Sequence, residues 1–418
     1  MTLLRTSALN AAAVAVRIVA ALGVNKVLAV YLGPAGYTVV AQLGNLASLL
    51  SAVTGAVMST GVTKYTAEYA DSRERQIAVW RAASYYLAGA TAAAWIVTVV
   101  LSETLATWLL AAPSYSPILV ALGFVLPMMS FNALVLSILN GKKEVRDYVS
   151  QGILSAVLSA ITTAVLAATW GLPGALAALV LNHALTCCVT LWLCRGRPWL
   201  RRDSFLGPLD RSAFRPLLGY AAMATISAVA APLGQLAVRD HLITQFGAGA
   251  TGDWQAVFKI SDIYIQLFTA TLSLYYLPRL AEIRSSGDLW REIAKVSAFV
   301  LPLAALAALV IYLCRNLVVH LLFTVEFQGM VKLFGWQLLG DVLKVGSWVF
   351  GFVLVGRAMV RWFIVLEIVF GLSWIGLTLL LTAQYGIVGA PMAFASNYLA
   401  YWVVTTTLVW RESRRMPK

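Results

Sequence analysis

The residues of this chain best suited to chemistry are charged side chains set inside long apolar stretches. Arg17 and Lys26 lie in the first stretch and Arg239 ends the seventh. Lys259 and Asp262 lie in the eighth, Asp341 and Lys344 in the tenth, and Glu367 in the eleventh. A charge at the centre of a bilayer costs about 2.5–3.5 kcal/mol on insertion scales, so each of these groups must face a cavity or a partner. Arginine and lysine suit an anion, and arginine can hold a phosphate with two parallel hydrogen bonds. The three acids suit ion coupling, or they pair with the cations.

The eighth stretch is the most informative. Gln255, Lys259, Asp262, Gln266, Thr269 and Ser273 follow steps of four, three, four, three and four. On a helix these positions form one narrow polar stripe, which must meet water or a polar substrate. Thr38, Gln42 and Asn45 repeat the start of this pattern in the second stretch. Gln337, Asp341, Lys344 and Trp348 share a face in the tenth, as do Thr6, Asn10 and Arg17 in the first. Stretches 1, 2, 8 and 10 are therefore expected to line one hydrated chamber. A plainer reading stands beside this one. Lys259–Asp262 and Asp341–Lys344 are spaced i,i+3 and could simply neutralise each other. Arg17 and Lys26 have no acid in their own stretch. They lie nine residues apart, so a bend near Gly23 is needed for both to face one chamber.

The elements that carry these residues follow from composition. The chain has 418 residues, 60% hydrophobic and 12% charged, with a mean hydropathy of +0.81. Soluble domains carry about 25% charged residues, and a soluble chain this long with half that could not cover its surface. That excludes a globular soluble enzyme, a disordered chain and a small disulfide scaffold. The expectation is an all-α polytopic membrane protein. A hydrocarbon core about 30 Å thick needs about 20 apolar residues per helix. Twelve spans are read, at 8–31, 37–61, 81–109, 117–140, 148–169, 172–194, 214–238, 254–277, 293–314, 330–355, 361–382 and 386–410. Their alanine and glycine content suits close helix packing. Alternating segments of a membrane barrel are absent from the sequence.

The net charge of +13 is mostly topology. Basic residues fall at every second connection, among them Lys64, Arg73, Lys142, Arg146, Arg197, Arg211, Arg291, Arg357 and Arg414. Connections 31–37, 103–117, 170–174 and 383–386 hold no lysine or arginine. The positive-inside rule then places both termini in the cytoplasm of a multi-pass protein and removes the case for nucleic acid. The first stretch reads as an uncleaved span because Arg17 interrupts it and the apolar pattern runs on to Tyr31.

An internal repeat runs through the chain at a shift of about 215 residues. Gly171, Gly174, Ala175, Ala178 and Asn182 align with Gly386, Gly389, Ala390, Ala393 and Asn397. Gly141, Lys142 and Arg146 align with Gly356, Arg357 and Arg361, and Ala67-Glu68 with Ala281-Glu282. Six spans separate the matched points, and an even number makes the two six-helix repeats parallel. The expected division is a lobe over 1–194, a cytoplasmic linker over 195–213, a second lobe over 214–410 and a tail over 411–418.

Other signals are weak. Gly247-Ala-Gly-Ala-Thr-Gly252 has the spacing of a dinucleotide fingerprint, but without a preceding strand it is only a turn. His183, His241 and His320 are scattered. Cys187, Cys188, Cys194 and Cys314 lie within or at the ends of spans, so no metal or cofactor is expected. There is no phosphate-binding Walker sequence and no hydrolase motif.

Three strings resemble a known family. They are Gly61-Val-Thr-Lys64-Tyr65; Trp254-Gln255 with Ile260-Ser-Asp262 and Leu277-Pro278; and Trp336-Gln-Leu-Leu-Gly-Asp341-Val-Leu-Lys344-Val-Gly, continuing to Val349-Phe-Gly351. They are similar to the Wzx flippases, the polysaccharide-transport branch of the multidrug/oligosaccharidyl-lipid/polysaccharide (MOP) exporter superfamily. The likeness is strongest to the lipid III flippases of enterobacterial common antigen synthesis. It implies two six-helix lobes around a V-shaped, MATE-like central cavity in a bacterial inner membrane. It also implies transfer of an undecaprenyl-diphosphate-linked oligosaccharide, a lipid III-type or O-antigen unit, to the outer leaflet. Residues similar to Lys26, Lys64, Arg239, Asp262, Asp341, Lys344 and Glu367 are implied in that family; Lys259 departs from it.

On this reading Arg17, Lys26, Lys64, Arg239, Lys259 and Lys344 are candidate binding residues, chiefly for the diphosphate. Gln42, Asn45, Gln255 and Gln266 are candidates for the sugar. Asp262, Asp341 and Glu367 are candidates for ion coupling or charge pairing. Membrane lipids, and polymerase or chain-length proteins of the same pathway, are the implied partners. A cation-coupled drug exporter would need an acidic or aromatic chamber, whereas five intramembrane basic residues face three acids here. A polysaccharide polymerase or glycosyltransferase would need a large outer loop or a cytoplasmic domain, and no connection is long enough or carries paired carboxylates.

Overall fold

The computed structural model describes residues 3–208, 211–276, 279–280, 283, 285–357 and 359–416. Among them every regular element is helical: α1 (Leu3–Ser51), a π-turn (Ala52–Ala56), α2 (Val57–Glu68), α3 (Arg73–Val100), α4 (Ser102–Leu110), α5 (Ser116–Gly141), α6 (Val145–Cys194) and α7 (Arg202–Phe205). Then come α8 (Arg211–Thr271), a second π-turn (Leu272–Tyr276), α9 (Ser286–Leu313), α10 (Arg315–Leu322), α11 (Phe334–Gly356), α12 (Val360–Tyr385) and α13 (Gly389–Ser413). The side chains of Thr6, Asn10 and Ser273 lie outside the described residues.

Three of these helices are each two segments joined at a glycine. Backbone angles leave the helical region at Gly33 (φ 62°, ψ −176°) in α1, Gly171 (φ 58°, ψ −134°) in α6 and Gly247 (φ 79°, ψ 165°) in α8. Gly386 (φ 61°, ψ −152°) separates α12 from α13. Counting these breaks gives twelve helical segments of membrane-spanning length among the described residues, as the hydropathy pattern predicts.

Gly171 and Gly386 are chain reversals. A methyl group at Gly174 would overlap the Leu166 carbonyl, and one at Gly389 would overlap Leu381. Residues eight apart meet in this way only when the chain folds back on itself. A side chain at φ near +60° with such ψ is strained, so glycine sits at the turn. Asn182 Nδ2 donates to Thr163 Oγ1 at 3.1 Å across the first reversal.

The same features recur about 215 residues apart. Gly33 pairs with Gly247, and Gly171 with Gly386. The short helix α4 pairs with α10. The expected third span, 81–109, is in fact two helices. Leu101 leaves the helical ladder (φ −95°, ψ 15°), and α4 restarts with Glu103 in its first turn, where a carboxylate suits the helix dipole.

The chain divides into two compact units. The first is Met1–Leu32 with Val39–Leu236, and the second is Gly33–Thr38 with Ala237–Lys418. The first is built on a cluster including Met58, Val62, Val79, Trp80, Val135, Ile138, Trp199 and Phe205. The second is built on Leu272, Tyr276, Leu289, Ile293, Val345, Val349, Val353 and Val409. Large apolar side chains such as Phe124, Trp170, Phe299, Leu372 and Val403 are exposed. A surface of this kind suits lipid rather than water.

The 195–208 stretch does not hang free. Arg81 donates from Nε (3.1 Å) and Nη2 (2.6 Å) to the Asp203 carbonyl, and Tyr85 OH donates to Gly207 O at 2.8 Å. Trp199 and Phe205 pack by Trp80 at ring separations of 6.2 and 6.4 Å. Arg197 bonds Asp147 and lies 3.3 Å from Glu144. The hydrogen bond to Asp147 pushes its guanidinium above the ordinary arginine value. Beside this strap, Lys142 Nζ donates to Gln76 Oε1 at 3.0 Å, and burial lowers its ammonium below the usual lysine value.

The Gly33–Thr38 break docks within the second unit. Tyr37 is buried against Phe323 and Phe327 at ring separations of 6.1 and 5.8 Å. Thr38 Oγ1 donates to the Ala248 carbonyl at 2.8 Å. A methyl at Gly252 would overlap Pro34. The equivalent turns of the two repeats therefore pack against each other.

Candidate functional site

In the second unit, α11 faces the part of α8 that follows Gly247. Asp341 is completely buried and accepts three hydrogen bonds. Ser261 Oγ donates to its Oδ2 at 2.6 Å, Tyr264 OH to the same oxygen at 2.8 Å, and Gln337 Nε2 to Oδ1 at 3.2 Å. All three donors are neutral. Lys344, one turn later, has its ammonium 5.2 Å from the Trp348 ring, 5.4 Å from Tyr398 and 5.5 Å from Phe394. Aromatic faces at this distance stabilise a desolvated cation. Among the described residues no ion pair within 4.0 Å joins Asp341 to Lys344 or Lys259 to Asp262. The members of each i,i+3 pair feel one another electrostatically without touching.

Arg239 is also completely buried. Its Nε donates to Gln255 Oε1 at 3.1 Å, and Nη2 donates to the same oxygen. Asp262 lies within electrostatic reach of Lys344, Lys259 and Arg239, and Glu367 within reach of Lys344. The polar stripe on α8 therefore changes character along its length. Gln255 is buried, Lys259 and Asp262 are half-buried, and Gln266 is exposed. The structure gathers Arg239, Gln255, Lys259, Asp262, Asp341, Lys344 and Glu367 into one electrostatic group.

In the first unit the candidates are spread along α1 and α2. Arg17 is exposed, and its guanidinium lies over Gly152 of α6, where a methyl group would be crowded. Lys26 and Asn45 are half-buried, and Gln42 is buried. Lys64 is exposed near the end of α2, with its ammonium 4.9 Å over the Tyr65 ring. It is exposed, as Arg17 is, and lies farther along the sequence than the other candidates of this unit.

Ser261, Tyr264 and Tyr398 are absent from the sequence-based set, although two of them hold Asp341 and the third faces Lys344. Ser261 and Tyr264 flank the α8 stripe on its buried side, and their i,i+3 spacing was the available signal. Tyr398 carries no such signal, because its partner lies on another helix.

Comparison with known proteins fixes the lineage. The family model described as "Polysaccharide biosynthesis protein" matches residues 3–284. The chain is 32% identical over 414 residues to the Lipid III flippase of Escherichia coli strain K12, covering 98% of this chain and 99% of that protein. The Lipid III flippase of Shigella flexneri matches to the same extent. Among solved structures, an inward-facing multidrug resistance MATE family transporter of the MOP superfamily superposes with a TM-score of 0.77 at 14% identity, covering 96% of this chain and 94% of that one. The lipid II flippase MurJ, in an inward closed conformation, superposes with a TM-score of 0.74 at 12% identity over 97% and 87% of the two chains. Those two likenesses establish the fold. The match to the family model and the full-length relatives establish more: this multi-pass membrane protein belongs to the polysaccharide biosynthesis protein family, in the lineage it shares with the lipid III flippases.

Proposed function

We propose that the protein is a flippase for an undecaprenyl-diphosphate-linked oligosaccharide of the lipid III type, moving it across the plasma membrane by alternating access of two six-helix lobes. The observation that carries this reading is the 32% identity to a lipid III flippase over nearly the whole of both chains. The charge chemistry supports it. A diphosphate needs cations, and Arg17, Lys26 and Lys259 are intramembrane cations that lie exposed or half-buried. Asn45 and Gln266 offer amides to sugar. Arg239 acts through Gln255, which it holds in place, and Lys344 contributes a cation stabilised by aromatic rings. Lys64 meets the head group at the end of α2. Asp262, Asp341 and Glu367 set the field around these cations. Both termini lie in the cytoplasm, and enzymes that polymerise the exported unit are the natural partners.

Driving force is available without catalysis. With the cell interior negative, moving an anion outward is downhill by about 2.3 kcal/mol per charge per 100 mV. The drug exporters with this fold take a different cargo, and a chamber rich in cations disfavours cationic drugs. The test is a leaflet-specific assay of the lipid-linked oligosaccharide in cells carrying Arg17→Ala with Lys26→Ala at normal abundance. The expected result is export reduced at least about tenfold, the loss of one charge-assisted contact or more. Unchanged export removes these two cations from the mechanism.

A further inference from the structure

A second basic pocket lies in the second unit, apart from the charged group on α8 and α11. Trp290 at the start of α9 bonds Ser413 at the end of α13, so the other end of α9 is the end opposite the C-terminus. There, a cavity of about 500 Å3 is lined by Tyr312, Arg315, Gln328, Lys332 and Trp336, among others. The Arg315 guanidinium stacks over the Tyr312 ring at 4.3 Å, and its Nη1 donates to Tyr312 O at 2.9 Å. That uses one of its five N–H donors. The others have no protein partner among the described residues. Lys332 is exposed and feels Asp253, which offsets part of its charge. Arg315 is therefore the stronger anion site of the two.

An apolar strip runs beside the pocket. Leu313, Leu317, Leu321 and Val325 are each more than 60% exposed. Leu317 and Leu321, four residues apart, share one face of α10, and Leu313 ends the helix before it. A short helix with Leu317 and Leu321 on one side and the cation Arg315 at its start matches a segment lying in the membrane interface. The strip offers a surface for hydrocarbon, and the pocket offers cations, an amide and two aromatic rings at headgroup depth.

We infer that this pocket binds the headgroup of an anionic glycerophospholipid, of which phosphatidylglycerol is the simplest, in the leaflet opposite the termini. The phosphate meets Arg315 and Lys332, the glycerol hydroxyls meet Gln328, and one acyl chain follows Leu313, Leu317 and Leu321. The assignment is independent of the flippase reading, because it uses neither the α8 stripe nor any residue of the first unit.

The test uses the full chain reconstituted with phosphatidylcholine plus a minor fraction of phosphatidylglycerol, released into mild detergent and weighed by native mass spectrometry. Wild-type protein is expected to retain one phosphatidylglycerol. Arg315→Gln with Lys332→Gln lowers the retained fraction roughly tenfold, as expected for loss of a charge-assisted hydrogen bond. Arg414→Gln, at the opposite end, leaves it unchanged. Circular dichroism melting of each variant verifies that the fold is intact, and Arg315→Lys, which keeps the charge, restores part of the retention. Equal retention in the double variant overturns the site. So does equal retention of phosphatidylcholine, or a retained mass that matches a prenyl diphosphate.

Discussion

Asp341 illustrates how a buried charge is held without a countercharge in contact. Its two oxygens receive hydroxyl, phenol and amide donors, and the nearest cation on its own helix rests against aromatic rings instead. Asp341→Ala would strand the buried donors Ser261 and Gln337 and the half-buried Tyr264. It is expected to destabilise the protein by about 1–3 kcal/mol or more, since each unmet buried group carries a penalty of that order. Asp341→Asn keeps the shape and an acceptor, so its melting temperature in detergent should stay within a few degrees of wild type. A transport defect in the Asp341→Asn variant with normal melting would assign the carboxylate's charge to function. Equal melting of the Asp341→Ala variant and the wild type would refute the cradle. The sequence exposed Asp341 and Lys344 because charges in apolar runs are rare. It did not expose their partners, because Ser261, Tyr264 and Tyr398 are ordinary residues whose roles depend on which helices become neighbours.

The helical hairpins depend on close backbone approach. Gly174 and Gly389 occupy matching places after the reversals at Gly171 and Gly386, and each faces the carbonyl region of the preceding helix. A methyl group there cannot be relieved by rotating a side chain. Gly174→Ala is expected to cost about 1–3 kcal/mol, the usual penalty for overpacking a tight contact. Detergent melting would register it, whereas Gly89→Ala, which meets nothing within 4 Å, should be neutral or slightly stabilising through helix propensity. These hairpins were legible in advance, because Gly171 to Asn182 repeats as Gly386 to Asn397 and the reversals lack basic residues. The helices α4 and α10 were not. The apolar α4 reads as the tail of the third span until the backbone breaks at Leu101, and α10 begins only after the expected end of the ninth span at residue 314.

Features that recur about 215 residues apart account for the gross plan, and that repeat was visible in the sequence without knowledge of contacts. The allocation of the turns was not visible. Gly33–Thr38 belongs by contact to the unit made mainly from residues after 236, because Tyr37 fills a slot between Phe323 and Phe327. Tyr37→Ala is expected to destabilise that unit by about 3–5 kcal/mol, as for other buried aromatics. Hydrogen exchange should quicken in 247–254 and 323–333 and stay unchanged in α6. Faster exchange in α6 alone would contradict the allocation. Nor could the pattern foretell that 195–208 is pinned by Arg81, Tyr85 and Arg197, since prolines and arginines there read as a loose tether. The docking of Tyr37 also sets an order for biogenesis. This residue leaves the ribosome early, yet its resting place is completed only with Phe327. At roughly 5–20 residues per second the wait is about 15–60 s, so the nascent first hairpin must be shielded by the insertion machinery or by lipid until the polypeptide is nearly finished.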